Sequence, residues 1–571
     1  MERRLLLVFA LTFVIILAVQ PLLMKKFGPS QPPTPGAEKS TTAPAATPDQ
    51  TATSSSSSDQ PAGRESGTSA AVGAKQAKSE SSTVIENDLY RIEFTNRGAQ
   101  VKSWVLKKFT DSNERPLDLV NAAGAAKYGM PLSLWAYDAT LRSKLNSALY
   151  VASSKDALQA PAEISFEYAD PDLVVRKSFL FDQTYVVKVE TSVVYKGTQT
   201  AAFPAWPAGF GDETVPSSYA AARIDWQRGD KIERTAAKKI SGGATITGPF
   251  DWAGVIDQYF CTAFMPDNPE TAGMVTLRNE IEIAKNPQKP EVKEKVEVLG
   301  AAVGDLKGPT SERVFVGPKT LEVVESVHVG NGDLRGVVNF GFFGIIARPL
   351  FLWLRWIHEH VVRNWGWAIA LQTLIINLAL LPLRISSMKS SLKMQKVAPQ
   401  IKAIQEKYKK YSIKDPRRAE MNQEVSALYK KEGVNPVGGC VPLIIQMPFL
   451  FAYYSMLGAA IELRHAHWLW VRDLASPDPW HILPIGIIIT TLLVQQMTPT
   501  GGMDPTQQRM MTFMMPAMLG FISWNLASGL CLYWSMGNAI SIVQQMVMNR
   551  TELGREMRAE MEKRARKKSK A

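Results

Sequence analysis

Polar residues stand at helical spacing inside long apolar runs, and their types suit hydrogen bonding and charge, not bond making. Thr373, Asn377 and Arg384 follow one another at steps of four and seven, with Gln372 beside them. Trp534, Asn538, Ser541 and Gln545 fall at i, i+4, i+7 and i+11, and Gln446 and Tyr453 are seven apart. Residues at such steps share one face of a helix. A side-chain amide facing lipid has no partner, so the three stripes are expected to face one another or a wet cavity. For any single residue, ordinary interhelical hydrogen bonding, worth about 0.6 kcal/mol, is the better account. Together the stripes favour a hydrophilic groove.

Several chemistries are absent. No Asp or Glu falls within the five apolar runs 364–384, 437–460, 480–497, 510–526 and 529–548, whereas a coupled transporter needs ionisable groups near the bilayer midplane. His481 stands at the end of one run and no other histidine lies in any, which disfavours an intramembrane protease. His358 with His360, and His465 with His467, flank apolar helices, so metal binding is not expected. No nucleotide motif occurs. The chain reads as a non-enzyme with no cofactor.

The elements that position these residues follow from hydrophobicity and charge. Of 571 residues 46% are hydrophobic, concentrated in blocks, and the net charge of +12 sits largely beside those blocks, where it reports membrane orientation; no specific nucleic-acid sequence is expected as a partner. Residues 1–24, two arginines followed by a long apolar run, are expected to form an uncleaved signal anchor. Residues 25–82, rich in Pro, Ser, Thr and Ala, are expected to form a disordered periplasmic tether. Residues 83–333 alternate apolar and polar positions, as in Tyr90, Ile92 and Phe94 against Arg91 and Glu93, which predicts a periplasmic all-β sandwich domain. Only Cys261 falls there, so no internal disulfide is available. Residues 334–362 carry a thin polar stripe, Arg348, Arg355 and Glu359, on an otherwise apolar, Trp-rich helix expected to lie flat at the membrane interface.

Charge orients the five-helix core, 363–548. From Arg384 to Asn435 there are 13 basic against five acidic residues, net +8, and the tail 549–571 carries nine against four, net +5, while the loop 461–479 is net −1. The positive-inside rule places the first two in the cytoplasm, giving six spans with both termini cytoplasmic. Within 386–435, Met388, Leu392, Val397, Ile401, Ile404, Tyr408 and Tyr411 form one apolar stripe, and Val425, Leu428 and Tyr429 a second after Asp415-Pro416. The two predict a helical hairpin whose cations, Lys402, Lys407, Lys409, Lys410, Arg417 and Arg418, face anionic lipid or a docked partner.

Residues 435–448, reading NPVGGCVPLIIQMP, closely resemble the string that opens the second core helix of the YidC family of membrane insertases. The likeness continues through Asn364-Trp365-Gly366, Met394-Gln395, Glu462-Leu463-Arg464, Asp504-Pro505 and Leu532-Tyr533. It implies a membrane α-helical bundle of six spans with a five-helix core and an inserted periplasmic β-supersandwich. It further implies a groove, open to cytoplasm and lipid, that receives hydrophilic segments of nascent membrane proteins. Ribosomes and the Sec translocon are implied partners, and the bacterial inner membrane the location. Groove contacts implied by position are Thr373 and Trp534, Gln446 matches a groove glutamine, and Tyr533 and Asn538 beside them are further groove candidates. The family's groove arginine falls at Asn377, and Arg384, two turns nearer the cytoplasm, is expected to supply the charge instead. A channel or transporter, and a carbohydrate-binding module on an anchor, are the alternatives; a conductance assay and a sugar titration of residues 83–330 separate them.

Overall fold

The computed structural model of the chain describes residues 74–212, 222–286, 289–409, 411, 415–434, 441–497, 505–552, 554–556 and 558–559. The expected signal anchor, nearly all of the expected tether, Lys410, the Arg418 side chain and the end of the basic tail lie outside the described residues.

Alternation in the sequence becomes strands with one buried face. Tyr90, Ile92 and Phe94 are fully buried on strand Tyr90–Thr95, while Arg91 is exposed. Backbone pairing begins before the boundary expected at residue 83, because Lys75 already pairs with Ala169. Among the described residues the strands form sheets of five, ten, five and two members. The largest runs through Phe260–Pro266, Thr310–Pro318, Val186–Tyr195, Leu173–Phe181 and Ala162–Ala169, all antiparallel. A long hairpin of Ala272–Asn286 and Lys289–Asp305 dominates the third sheet. Trp104, Trp206 and Trp252 are fully buried in the β core. The turn after strand Tyr90–Thr95, at Asn96-Arg97-Gly98, needs its glycine: Gly98 has φ +67°, and a Cβ there would stand 2.6 Å from the Asn146 carbonyl.

Short helices α1, Ala122–Tyr128, and α2, Ala139–Ser147, decorate the sheets, and α3, Leu321–Glu325, follows the last long strand. The helical part begins with α4, Gly344–His360. Its expected polar stripe is not simply turned to solvent, because α3 supplies acids to it: Arg348 pairs with Glu325 at 2.8 Å, and Arg355 with Glu322 at 2.8 Å and Glu359 at 2.6 Å. A second face, Ala347, Leu350, Phe351, Leu354 and Ile357, is buried in the bundle. Ile345 and Trp356 remain exposed on a third.

The bundle comprises α5, Trp365–Ala379; α6, Leu381–Lys407; α7, Arg417–Lys431; α8, Val441–Ala459; α9, Ile482–Met497; α10, Pro505–Ser523; and α11, Ser528–Arg550. The first core run, expected as one helix over 364–384, is instead bent by 50° between α5 and α6. Pro382 explains the break, since it has no N–H to continue the ladder. Past the bend α6 continues from Leu381 through Pro399 to Lys407, so the helix that carries Arg384 also forms the first arm of the hairpin. Among the described residues no single helix is both long and apolar enough to cross a membrane, whereas the bent α5–α6 pair meets the test together. The first of the six expected spans lies outside the described residues, and polar residues lower the apolarity of helices such as α11, so length and composition leave the count of six unconfirmed.

In the hairpin, Val397 and Ile401 are buried with Val434 against Val425, Leu428 and Tyr429, as the apolar stripes predict. Three of the expected docking cations are engaged locally: Lys407 pairs with Glu424 at 2.8 Å, Arg417 with Asp415 at 3.6 Å and Lys402 with Glu406 at 3.7 Å. Lys409 is exposed.

Candidate functional site

α11 is the central wall of the polar site, packing on α5 on one side and α9 on the other. Arg384, in the first turn of α6, reaches across to it: Nη2 donates to Ser541 Oγ at 2.7 Å and Nη1 donates to Gln544 Oε1. The Ser541 hydroxyl proton is committed to the Gly537 carbonyl at 2.7 Å, so its lone pairs are what Arg384 meets. Among the described residues Arg384 has no carboxylate partner; its charge is held by neutral oxygens. Asn377, one turn before the bend, donates its amide to the Thr373 carbonyl at 2.8 Å and accepts at its own carbonyl from Gln544 Nε2 at 3.2 Å. The first stripe therefore meets the stripe of α11 through Arg384 and Ser541, while α5 itself reaches α11 through the Asn377 backbone carbonyl.

Other expected members are placed differently. Thr373 is fully buried; its hydroxyl donates to the Ile369 carbonyl at 2.6 Å, the usual back-bond of a helical threonine, and stands beside the Tyr453 hydroxyl. Asn538 turns to α9 and donates to Thr490 Oγ1 at 3.0 Å and Thr491 Oγ1 at 2.9 Å, an interhelical bond of the ordinary kind. Tyr533 is buried and stacks on Tyr453, with centroids 3.9 Å apart and planes at 14°. Tyr453 in turn donates to Gln372 Oε1, whose Nε2 donates to the Leu350 carbonyl of α4 at 2.9 Å. Trp534 is half-buried at the edge of the bundle core, and Gln446 is exposed on α8.

Three residues were missed by spacing alone. Gln544 lies one position off the i, i+7, i+11 series of α11, although the pair Gln544-Gln545 in an apolar run is a visible signal. Thr490 and Thr491 look like ordinary helix residues until Asn538 faces them. Ser535 Oγ of α11 and Gln495 Oε1 of α9 are buried without a partner among the described residues.

At the opposite end of the bundle the loop 461–479 meets the β domain. The Arg464 guanidinium pairs with Asp212, both nearly fully buried, and lies 5.7 Å from the Phe260 ring. His465 Nδ1 stands 3.0 Å from Thr110 Oγ1, and Gln258 donates to the Gly458 carbonyl at 3.2 Å. Burial pushes the Glu462 carboxyl up to about 7, against the pull of Arg355.

Residues 82–353 match the model of the YidC periplasmic domain, and residues 356–555 match that of the 60Kd inner membrane protein family. The membrane protein insertase YidC of Geobacter sulfurreducens is 30% identical over 482 residues, covering 81% of this chain and 85% of the relative. That of Syntrophus aciditrophicus is 29% identical, covering 96% of this chain and all of the relative. That of Wolinella succinogenes is 39% identical over about half of each chain, 52% and 50%. Of solved structures, an active YidC insertase with its first transmembrane domain resolved matches at 18% identity and TM-score 0.34, covering 84% of this chain and 95% of its own. A galactose mutarotase-like protein from Lactobacillus casei matches at 10% identity and TM-score 0.27, covering 42% of this chain and 99% of its own. On the two family models and the extent of its relatives, this chain belongs to the YidC family, non-enzymatic membrane protein insertases of the bacterial inner membrane.

Proposed function

We propose that the chain inserts nascent membrane proteins by receiving their hydrophilic segments in a groove between α5–α6 and α11 and releasing their apolar segments sideways into lipid. The observation that carries this reading is Arg384, an arginine without a carboxylate partner among the described residues, held against the polar face of α11. An uncompensated positive charge in a low-dielectric setting attracts an acidic segment strongly. Partition of the client's apolar side chains, at about 0.8 kcal/mol per buried methylene, supplies the driving force without nucleotide.

In this reading the six spans leave both termini in the cytoplasm and the β domain in the periplasm, consistent with the charge bias of the loops. α4 lies in the interface, and the basic hairpin α6–α7 meets anionic lipid, the ribosome or, with the bundle, the Sec translocon. The Thr373 hydroxyl, inward and back-bonded, contacts a client only once α5 and its neighbours part. Gln446 and Trp534 are the accessible contacts, and photo-crosslinkers at these two positions are expected to capture a stalled nascent chain. The decisive variant is Arg384→Ala. Insertion of a client with an acidic translocated tail is expected to fall about tenfold relative to the same client with a neutral tail. Equal insertion of both tails by that variant would overturn the cationic groove.

A further inference from the structure

The geometry points to Gln544 as the positioning residue of the groove: it aims Arg384 and ties the two sides of the α5–α6 bend to α11 without cancelling the arginine's charge. This rests on the reading of Arg384 as the groove cation.

The Gln544 side chain uses both ends of its amide, one on each side of the bend. Its Oε1 accepts from Arg384 Nη1 on α6, and its Nε2 donates to the Asn377 carbonyl of α5 at 3.2 Å. The orientation is forced, because a guanidinium only donates and a carbonyl only accepts. Asn377 lies in the last turn of α5, where helix carbonyls begin to lose their own donors, so an amide from outside has a vacant acceptor to fill. Arg384 lies in the first turn of α6, beyond a 50° bend. One side chain of α11 therefore spans the break.

The choice of an amide matters more than the bridge. A half-buried guanidinium is commonly met by a carboxylate, which would fix it equally well and neutralise it. Glutamine has the same reach as glutamate and a donor that glutamate lacks, and it leaves a full positive charge for an incoming segment. Ser541, the second acceptor, is likewise neutral. Both groups that orient Arg384 on α11 thus hold it in place while preserving its charge. The arrangement also accounts for Arg384 acting from a position two turns beyond Asn377: the bend carries α6 away from the axis of α5, and Gln544 draws the arginine back to the shared face.

The test measures, in full-length protein, insertion of one client carrying either an acidic or a neutral translocated tail, taking the ratio of the two within each variant so that differences in protein amount cancel. Gln544→Glu places a carboxylate against Arg384, and the acidic-to-neutral ratio is expected to fall about tenfold, to the level of Arg384→Ala. Gln544→Met keeps length and neutrality but removes both hydrogen bonds, and its ratio is expected to lie between wild type and Gln544→Glu. A role confined to packing would lower both clients together and leave the ratio at the wild-type value in Gln544→Glu, which overturns the inference. A ratio unmoved by Arg384→Ala overturns the cationic-groove reading beneath it; a ratio moved by Arg384→Ala but not by Gln544→Glu overturns the role of Gln544 alone.

Discussion

Glu312 lies on strand Thr310–Pro318, fully buried, with neither carboxylate oxygen bonded among the described residues. Burial, with the Asp267 carboxylate nearby, raises its pKa well above the ordinary 4.5. Lys177 is the instructive contrast. It occupies an inward position on strand Leu173–Phe181 and is equally buried, yet its ammonium donates to the carbonyls of Gly98 at 3.1 Å, Ala99 at 2.5 Å and Leu132 at 2.7 Å. Burial still pulls it down to about 7. For Glu312 the sign is clear: the folded state keeps a proton that the unfolded chain releases above about pH 4.5, so folding is penalised progressively as pH rises. Glu312→Met is therefore expected to stabilise the protein. Its advantage should grow by about 1.4 kcal/mol per pH unit above the unfolded carboxyl value until the buried acid ionises. Thermal unfolding in detergent at pH 5 and pH 8 tests this, and an equal gain at both pH values would show that the acid is not held neutral.

Among the elements, α5 shows how a short sequence string sets a helix start. Asn364 caps it by accepting from the Trp367 amide at 3.2 Å, and its own amide donates to the His467 carbonyl at 2.9 Å. Gly366 leaves the space that the Trp468 side chain fills, so a Cβ there would overlap the indole. Trp367 meets the same ring edge-on at 5.6 Å. Gly366→Ala should cost about 1–3 kcal/mol through overpacking, read as a lower unfolding midpoint and a changed near-ultraviolet tryptophan signal. Gly458 of α8 has nothing within 4 Å of where its Cβ would be. Gly458→Ala should be neutral or stabilise by about 0.5–1 kcal/mol, from helix propensity alone. Equal effects at the two positions would refute the packing account of Gly366.

At the scale of the whole molecule, the β domain and the bundle share a seam. Ile461, from the loop after α8, is buried within the β core, and the Arg464–Asp212 pair lies beside it. Breaking a buried pair strands the remaining charge, at about 3–5 kcal/mol. Arg464→Ala is expected to loosen the seam, raising hydrogen exchange in residues 463–474 while the central strands Leu173–Phe181 and Val186–Tyr195 keep their protection. Unchanged exchange in that loop would show that the apolar contacts suffice to hold the domain.

The sequence by itself determined the block order, the β character of residues 83–333, the hairpin stripes and the family. Period-two alternation, helical spacing and the string at 435–448 are properties of adjacent residues and need no partner to be read. It also placed Arg384 on one face with Thr373 and Asn377, because the three share a helical angle. Only the tertiary structure decided who faces whom. Helix arithmetic gives a side chain's direction but not the neighbour in that direction, so Asn538 turned to Thr490 and Thr491, and Thr373 turned inward on its own backbone. Gln544, off the counted stripe, became the contact that spans the bend. That bend and the Arg464–Asp212 seam depend on packing between segments distant in the chain, where local periodicity carries no information.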